Sequence, residues 1–345
     1  MKNNYSFIIL FCIIASFSCT KTSSSGTLPP KPLNIYVSGY RTNGTIDTAT
    51  YWKNGVPVAL SDGTQEALAT SIVISGSEVY VAGYEMNGTT HKFVAKYWKN
   101  GKPVILTDST KASAAFSITV SGSDVYVAGY EGIGSKYWKN GIPVAVSNGS
   151  NTTFVASIAV SGSDVYLAGH DRITATSLNP LAKYWKNGSP VELTDGSEEA
   201  EAYAIAVSGT DVYVAGYRDP GPNRAVALYW KNGRAIALTD SSEEAEAYAI
   251  AVSGTDVYVA GWEYSATTQN ALAKYWKNGS PVILSDGSKN AYANSIAVSG
   301  SNVFVAGGLG NYGSETALYW NNGSPVTLNN GIKNCVATSI FLSSQ

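Results

Sequence analysis

Three short phrases, repeated at constant spacing, predict an all-β chain: a closed ring of seven sheets, each of four antiparallel strands. A Tyr-Trp pair occurs seven times, with Trp at 52, 98, 138, 185, 230, 276 and 320. "SIAVSG" and its variants place Ile at 72, 118, 158, 205, 250, 296 and 340. "DVYVAGY" and its variants place an aromatic at Tyr36, Tyr80, Tyr126, Tyr166, Tyr213, Tyr258 and Phe304. Trp to the following Ile is 20 residues in every copy, and Ile to the following aromatic is 8 in all six copies that have one. From that aromatic to the next Trp the gap runs from 12 to 19, so all length variation falls in one connection.

Each unit reads as four strands. Strand A is the "SIAVS" segment, with Ala159, Ala206, Ala251 and Ala297 at its centre. A Gly-Ser-Asp or Gly-Thr-Asp turn leads to strand B, "VYVAG", apolar and β-branched. After the variable connection comes strand C, "AKYW". Asn-Gly follows, a strong two-residue hairpin signal because both residues tolerate positive φ. Strand D, "PVxLT", ends at an Asp-Gly or Asn-Gly turn such as Asp195-Gly196. Pro57, Pro103, Pro143, Pro190, Pro281 and Pro325 lie on strand D, which a sheet tolerates at its edge. Small residues on strand A suit a crowded axis. The order from the axis outward is therefore A, B, C, D.

The chain ends predict closure. The domain, residues 34–345, opens on strand B at "NIYVSGY" with no strand A before it. It finishes on strand A at "TSIFLSSQ" with no strand B after it. A ring needs that complementary permutation, because pairing the two ends removes the unpaired edges. Seven units of about 45 residues, four strands in each, make a seven-bladed β-propeller. Neighbouring residues on a strand point to opposite faces, so Tyr and Trp of each pair fill the gaps on either side of a blade. A buried aromatic removes about 200 Å² from water, worth roughly 5 kcal/mol as an upper bound. The Tyr-Trp phrase is architecture.

The strand order resembles the NHL type of propeller, and "YWKNGxPVxLTDG" resembles HAF-type extracellular repeats. Those resemblances imply a bacterial envelope propeller. They carry no site residue, because propellers host binding modules, scaffolds, lyases and hydrolases alike.

The first segment, "MKNNYSFIILFCIIASFSC", has one early Lys and an apolar stretch from Tyr5 to Phe17, the length of an export signal's core. Ser16-Phe17-Ser18-Cys19 resembles the lipobox of Gram-negative bacterial lipoproteins. That resemblance implies cleavage after residue 18 and lipid on Cys19. Residues 19–33, Ser- and Pro-rich, read as a tether. Cys12 leaves with the signal and Cys335 remains alone, so no disulfide framework is expected. The expected location is the cell envelope, as an outer-membrane lipoprotein, periplasmic or surface-exposed, held to the membrane through its lipid alone.

With 14% charged and 44% hydrophobic residues, the chain is too polar for a multispan membrane protein. A net charge of −2 argues against a nucleic-acid partner. His91 and His170 are the only histidines, so a three-histidine metal site is impossible. No P-loop or Gly-x-Ser-x-Gly elbow occurs, and no cofactor is implied.

Order A to D puts the A–B and C–D turns on one face of the disk, and the B–C and D–A connections on the other. The first face carries Lys53, Lys99, Lys139, Lys186, Lys231 and Lys277, read as solvated turn residues or as an anion-binding ring. On the second, the residue after strand B's Gly is Tyr40, Tyr84, Tyr130, His170, Tyr217, Trp262 and Gly308 in turn. Those six rings either bind a ligand or cover the ends of the blade cores. Two D–A connections, "GSEEAEAYAI" and "SSEEAEAYAI", add Glu198, Glu199, Glu201, Glu243, Glu244 and Glu246 to one sector. The leading expectation is a monomeric, non-catalytic module that binds a glycan or protein through those rings. The rivals are an enzyme on extracellular polysaccharide, using acids and His170, and a purely structural envelope component.

Overall fold

Hydrogen bonding sorts the strands into seven sheets of four, each in the order A-B-C-D. The computed structural model describes residues 33–344 except 43, 147–151, 173–178, 222–223, 312–313 and 329–333. The signal, the tether and Cys19 lie outside the described residues. Blade 1 takes strand A from the C-terminus: Cys335–Ser344 pairs antiparallel with Leu33–Thr42, from Leu33↔Ser344 to Arg41↔Cys335. Asp47–Lys53 and Val56–Ala59 complete it outward. Blades 2 to 7 follow in sequence, and the inner strands contact one another around the whole ring.

Seven apolar clusters fill the seven junctions between blades. The Tyr-Trp phrase acts as expected. Trp98 of blade 2 packs into the junction with blade 1, beside Tyr51, while Tyr97 turns to blade 3 and meets Trp138. All seven Trp are at most 3% exposed. Cys335 is buried in the closing junction between blades 7 and 1.

Two recurring residues join the inner strands. The Ser before the repeated Ile accepts the N–H of the next blade's Ile: Ser71 from Ile118, Ser117 from Ile158, Ser157 from Ile205, Ser295 from Ile340 and Ser339 from Ile72, at 3.1–3.4 Å. Blades 5 and 6 carry Ala204 and Ala249 at that position. Strand B's Gly has a stricter role. An added Cβ would stand 1.9–2.0 Å from a strand A carbonyl oxygen in every blade, at Gly39, Gly83, Gly129, Gly169, Gly216, Gly261 and Gly307. Opposite each lies a β-bulge, where strand A carries one residue more than strand B.

That bulge corrects the predicted boundaries. Strand A does not start at the repeated Ser-Ile; it runs on upstream, as Glu199–Ser208 and Ala245–Ser253. Glu199, Glu201 and Glu246 therefore sit on a strand rather than in a D–A connection. Strand B likewise extends past its Gly, which puts His170 on Asp164–Arg172. The first strand opens at Leu33, one residue earlier than read, because Leu33 still has a partner in Ser344.

The adjacent Gly307 and Gly308 test the bulge. A Cβ on Gly307 meets the Tyr292 oxygen at 2.0 Å and Trp320 at 3.0 Å; one on Gly308 meets nothing within 4 Å. Gly307→Ala is expected to cost about 3 kcal/mol, and Gly308→Ala less than about 0.5 kcal/mol, by denaturant titration. Equal midpoints for the two variants would contradict the close approach.

Candidate functional site

On the turn face, the Lys-Asn-Gly phrase satisfies itself. Asn54, Asn100, Asn140, Asn187, Asn232, Asn278 and Asn322 all have φ near +50° and open two-residue turns. Each side-chain oxygen accepts a strand B N–H at 2.8–2.9 Å. Five of the six lysines are occupied: Lys99, Lys139, Lys186, Lys231 and Lys277 pair with Glu78, Asp124, Asp164, Asp211 and Asp256 at 2.8–3.3 Å. Each also lies 5.2–5.3 Å or 5.4 Å from a strand B Tyr ring centroid. Hydrogen bonds from Lys139 and Asn140 hold the Asp124 carboxyl below its usual range, and Asp124 raises Lys139 to about 12. Blade 7 has Asn302 and Asn321 in place of acid and base together. At five of the six positions an anion would have to displace a carboxylate; only Lys53, opposite Asn34 and 5.4 Å from the Tyr36 ring, lacks one among the described residues.

The opposite face is built on the bulges. The extra residue of strand A is Thr70, Phe116, Ala156, Tyr203, Tyr248, Asn294 and Thr338 in blades 2 to 7 and 1. From blade 7 through blade 2 its side chain crosses to the next blade as a hydrogen-bond donor. Asn294 donates to the Ala337 oxygen (2.9 Å), Thr338 to Ala69 (2.8 Å) and Thr70 to Ala115 (2.9 Å). In blades 3, 5 and 6 the same place is aromatic. Phe116 packs on Phe154 of blade 4 at 5.3 Å, and Tyr203 meets Tyr248 of blade 6 edge-on at 5.5 Å. The axis is thus lined by a polar arc and an aromatic arc.

Within the aromatic arc, between Phe116 and Tyr203, Ala156 of blade 4 is too short to bridge. Blade 3, next to it, has the shortest B–C connection, Gly132-Ile133 between strands B and C. A cavity of about 560 Å³ opens there across blades 3, 4 and 5. Tyr130, Phe154, His170 and Tyr203 supply its rings, Glu201 its carboxylate, and Ile133, Ser135 and Thr153 much of the remainder. His170 stacks on Phe154 at 5.1 Å, and its Nε2 lies 3.6 Å from Glu201 Oε1. Two of the lining hydroxyls are spent inside the protein: Ser135 donates to the Thr153 oxygen and Thr153 to Asp171, both at 2.7 Å. Lys183 also donates to Asp171, at 2.7 Å.

Behind Tyr203 the acids of blades 5 and 6 divide. Glu198 pairs with Arg218, and Glu199 accepts the Tyr217 hydroxyl at 2.7 Å. Glu246 is instead taken inward. Burial raises its carboxyl to about 7, with the charges of Glu244 and Glu201 adding to the rise and hydrogen bonds from Tyr248 and Tyr203 opposing it. Tyr248 in turn accepts Trp262 Nε1 at 2.8 Å. Burial, then the charge of Glu246, pushes the Tyr203 and Tyr248 hydroxyls far above their usual range.

Of the six rings picked from sequence, Tyr130 and His170 line the cavity. Tyr217 and Trp262 are buried and brace Tyr203, Tyr248 and Tyr292 from behind. Tyr84 packs edge-on against Phe93 in blade 2, and Tyr40, half-buried, lies in blade 1; neither lines the cavity. The other wall residues, Phe154, Glu201 and Tyr203, come from strand A. Their signal is readable: they stand two or four residues before the repeated Ile, where the seven copies differ most in chemistry. Among the described residues no cluster of three His, Cys, Asp or Glu is placed to hold a metal ion.

No protein-family model matches the chain, so neither the NHL-like nor the HAF-like resemblance gains support there, and no curated protein matches it. Solved structures share its fold. A puromycin-hydrolyzing peptidase of Mycobacterium tuberculosis superposes with a TM-score of 0.52 at 12% identity, over 79% of this chain and 46% of that one. This chain thus spans less than half the length of that peptidase. The β-propeller domain of the Trilobed protease from Pyrococcus furiosus gives a TM-score of 0.51 at 12% identity, over 88% of this chain and 96% of that domain. That domain is described as having an open velcro topology; here the C-terminal strand is hydrogen-bonded beside the first. At such identities the likeness is one of fold.

Glu246 gives a pH test. A carboxyl ionising near 4.5 when unfolded and near 7 when folded contributes stability that is full below about pH 4.5 and lost as pH rises through about 7. Between those limits the wild type should lose about 3 kcal/mol relative to Glu246→Gln, read from unfolding free energies at each pH. A difference independent of pH would contradict a half-buried Glu246 whose carboxyl is raised to about 7.

Proposed function

We infer that this seven-bladed propeller, similar in fold to propellers found with peptidases, acts as a non-catalytic binding or scaffolding module on the cell envelope. Its ligand is a glycan or protein taken up on the face that carries the B–C and D–A connections. The observation that carries this reading is the concave site that the rings of Tyr130, Phe154, His170 and Tyr203 line together with Glu201. Aromatic walls with a few placed polar groups are the usual make-up of a binding cavity. The site lies where strand lengths and connections differ from blade to blade, while the turn face repeats itself.

One observation favours a second reading, a hydrolase acting on polysaccharide. Glu246, held near 7, is protonated about half the time at neutral pH, as a general acid must be, and Glu201 stands close enough for its charge to act on it. Against this, Glu246 is hydrogen-bonded by Tyr203 and Tyr248 and does not line the cavity.

A glycan array and a pull-down from envelope extract, with wild type against Phe154→Ala and Tyr203→Ala, test the first reading. Loss of at least about tenfold in affinity is expected in each variant. Binding unchanged in both would reject the face. Turnover of a polysaccharide, abolished in Glu246→Gln, would select the hydrolase.

The anchor proposal is separate. Lipid on Cys19 predicts incorporation of a labelled fatty acid by the wild-type chain in a Gram-negative host, and none by Cys19→Ala. Equal labelling of the two would place the lipid elsewhere.

A further inference from the structure

We propose that the cavity between blades 3, 4 and 5 receives an aliphatic cation, a methylated or free alkylammonium group at the end of its ligand. This rests on the reading of that face as a binding face, and narrows the ligand's chemistry. Four rings from three blades, Tyr130, Phe154, His170 and Tyr203, line one space. A ring face attracts a cation through its quadrupole, and several rings around one point form the cage that holds quaternary ammonium groups. The charge of the lining agrees. Among the described lining residues Glu201 is the one acid, and none is Lys or Arg.

Among the described residues, the bases near the cavity are paired or exposed. Lys183 is held by Asp171 and Lys136 by Glu131, and Lys111, beside Gly132, is exposed. Glu246, when ionised, adds negative charge behind Tyr203. The polar lining is ill-suited to a hydroxyl-rich, neutral guest. Ser135 and Thr153 give their protons to the protein itself. A metal ion is no better served, because one carboxylate and one imidazole fall short of its usual donor set. A bulky, weakly hydrated cation needs only rings and one carboxylate.

Calorimetric titration of the purified chain tests this with two pairs of probes. Choline is compared with its neutral isostere 3,3-dimethylbutan-1-ol, and D-glucosamine with N-acetyl-D-glucosamine. At least one cationic member is expected to bind at least about tenfold tighter than its neutral partner. Which one it is separates a quaternary ammonium source from an amino sugar. The preferred cation should weaken about tenfold in Glu201→Gln and in Tyr203→Leu, and should be kept within about twofold by Tyr203→Phe, which retains the ring. Thermal midpoints of the three variants establish that each is folded, and Tyr203→Phe keeps the test open should Tyr203→Leu not fold. Equal binding within both pairs, or no binding of either cation at millimolar concentration, overturns the proposal. Neither result bears on the glycan array, so the broader binding reading stands or falls separately.

Discussion

The structure depends on one close approach: in every blade strand B comes so near strand A that only a glycine fits between them. A Cβ at that point would lie about 2 Å from a carbonyl oxygen, well inside contact distance. Glycine's lack of a Cβ, rather than its freedom in φ, is what matters here. The approach goes with the bulge, and the bulge lengthens strand A by one residue per blade. That extra residue no longer belongs to the ladder. Its side chain is released toward the neighbouring blade, so a single packing constraint, repeated seven times, creates seven adjustable positions around the axis.

How those positions are filled explains why the ring is uneven. Across the junctions from blade 7 to blade 3, Asn294, Thr338 and Thr70 stitch strand to strand through carbonyls. Blades 5 and 6 lose even the Ser-to-Ile link, because Ala204 and Ala249 stand where the other blades have Ser. There the junctions are held by Tyr203 on Tyr248 and Trp262 on Tyr292. Aromatic contact replaces hydrogen bonding, and carboxylates come inward with it. The cavity forms at the edge of this aromatic stretch, beside Ala156, the one bulge residue that reaches nothing.

Much of this was legible in the sequence, for a definite reason. Spacing between Trp, Ile and strand B's aromatic reports the ladder, and the ladder alone fixes blade number, strand order and the closure of Leu33–Thr42 by Cys335–Ser344. The candidate site was only half legible. Tyr130 and His170 were marked by following the repeated Gly, whereas Phe154, Glu201 and Tyr203 were hidden in a segment read as connection. A bulge has no signature in hydrophobic alternation: it shifts the phase of strand A by one, so the residues before it stop looking like strand. Likewise the six acids look alike in sequence. Only packing distinguishes Glu198, paired with Arg218, from Glu246, whose carboxyl is drawn out of water.

The pairing of Ser38 with Thr338 spans 300 residues. During synthesis the first blade therefore emerges without its innermost strand, and the strand that completes it is made last. Until then Leu33–Thr42 presents a bare, β-prone edge to whatever surrounds it, and the blades made in between must wait without a shut ring. Contacts this distant in sequence slow folding, because the chain must close its largest loop before the final ladder can form. A nascent chain of this design needs shelter from its own copies for as long as that takes.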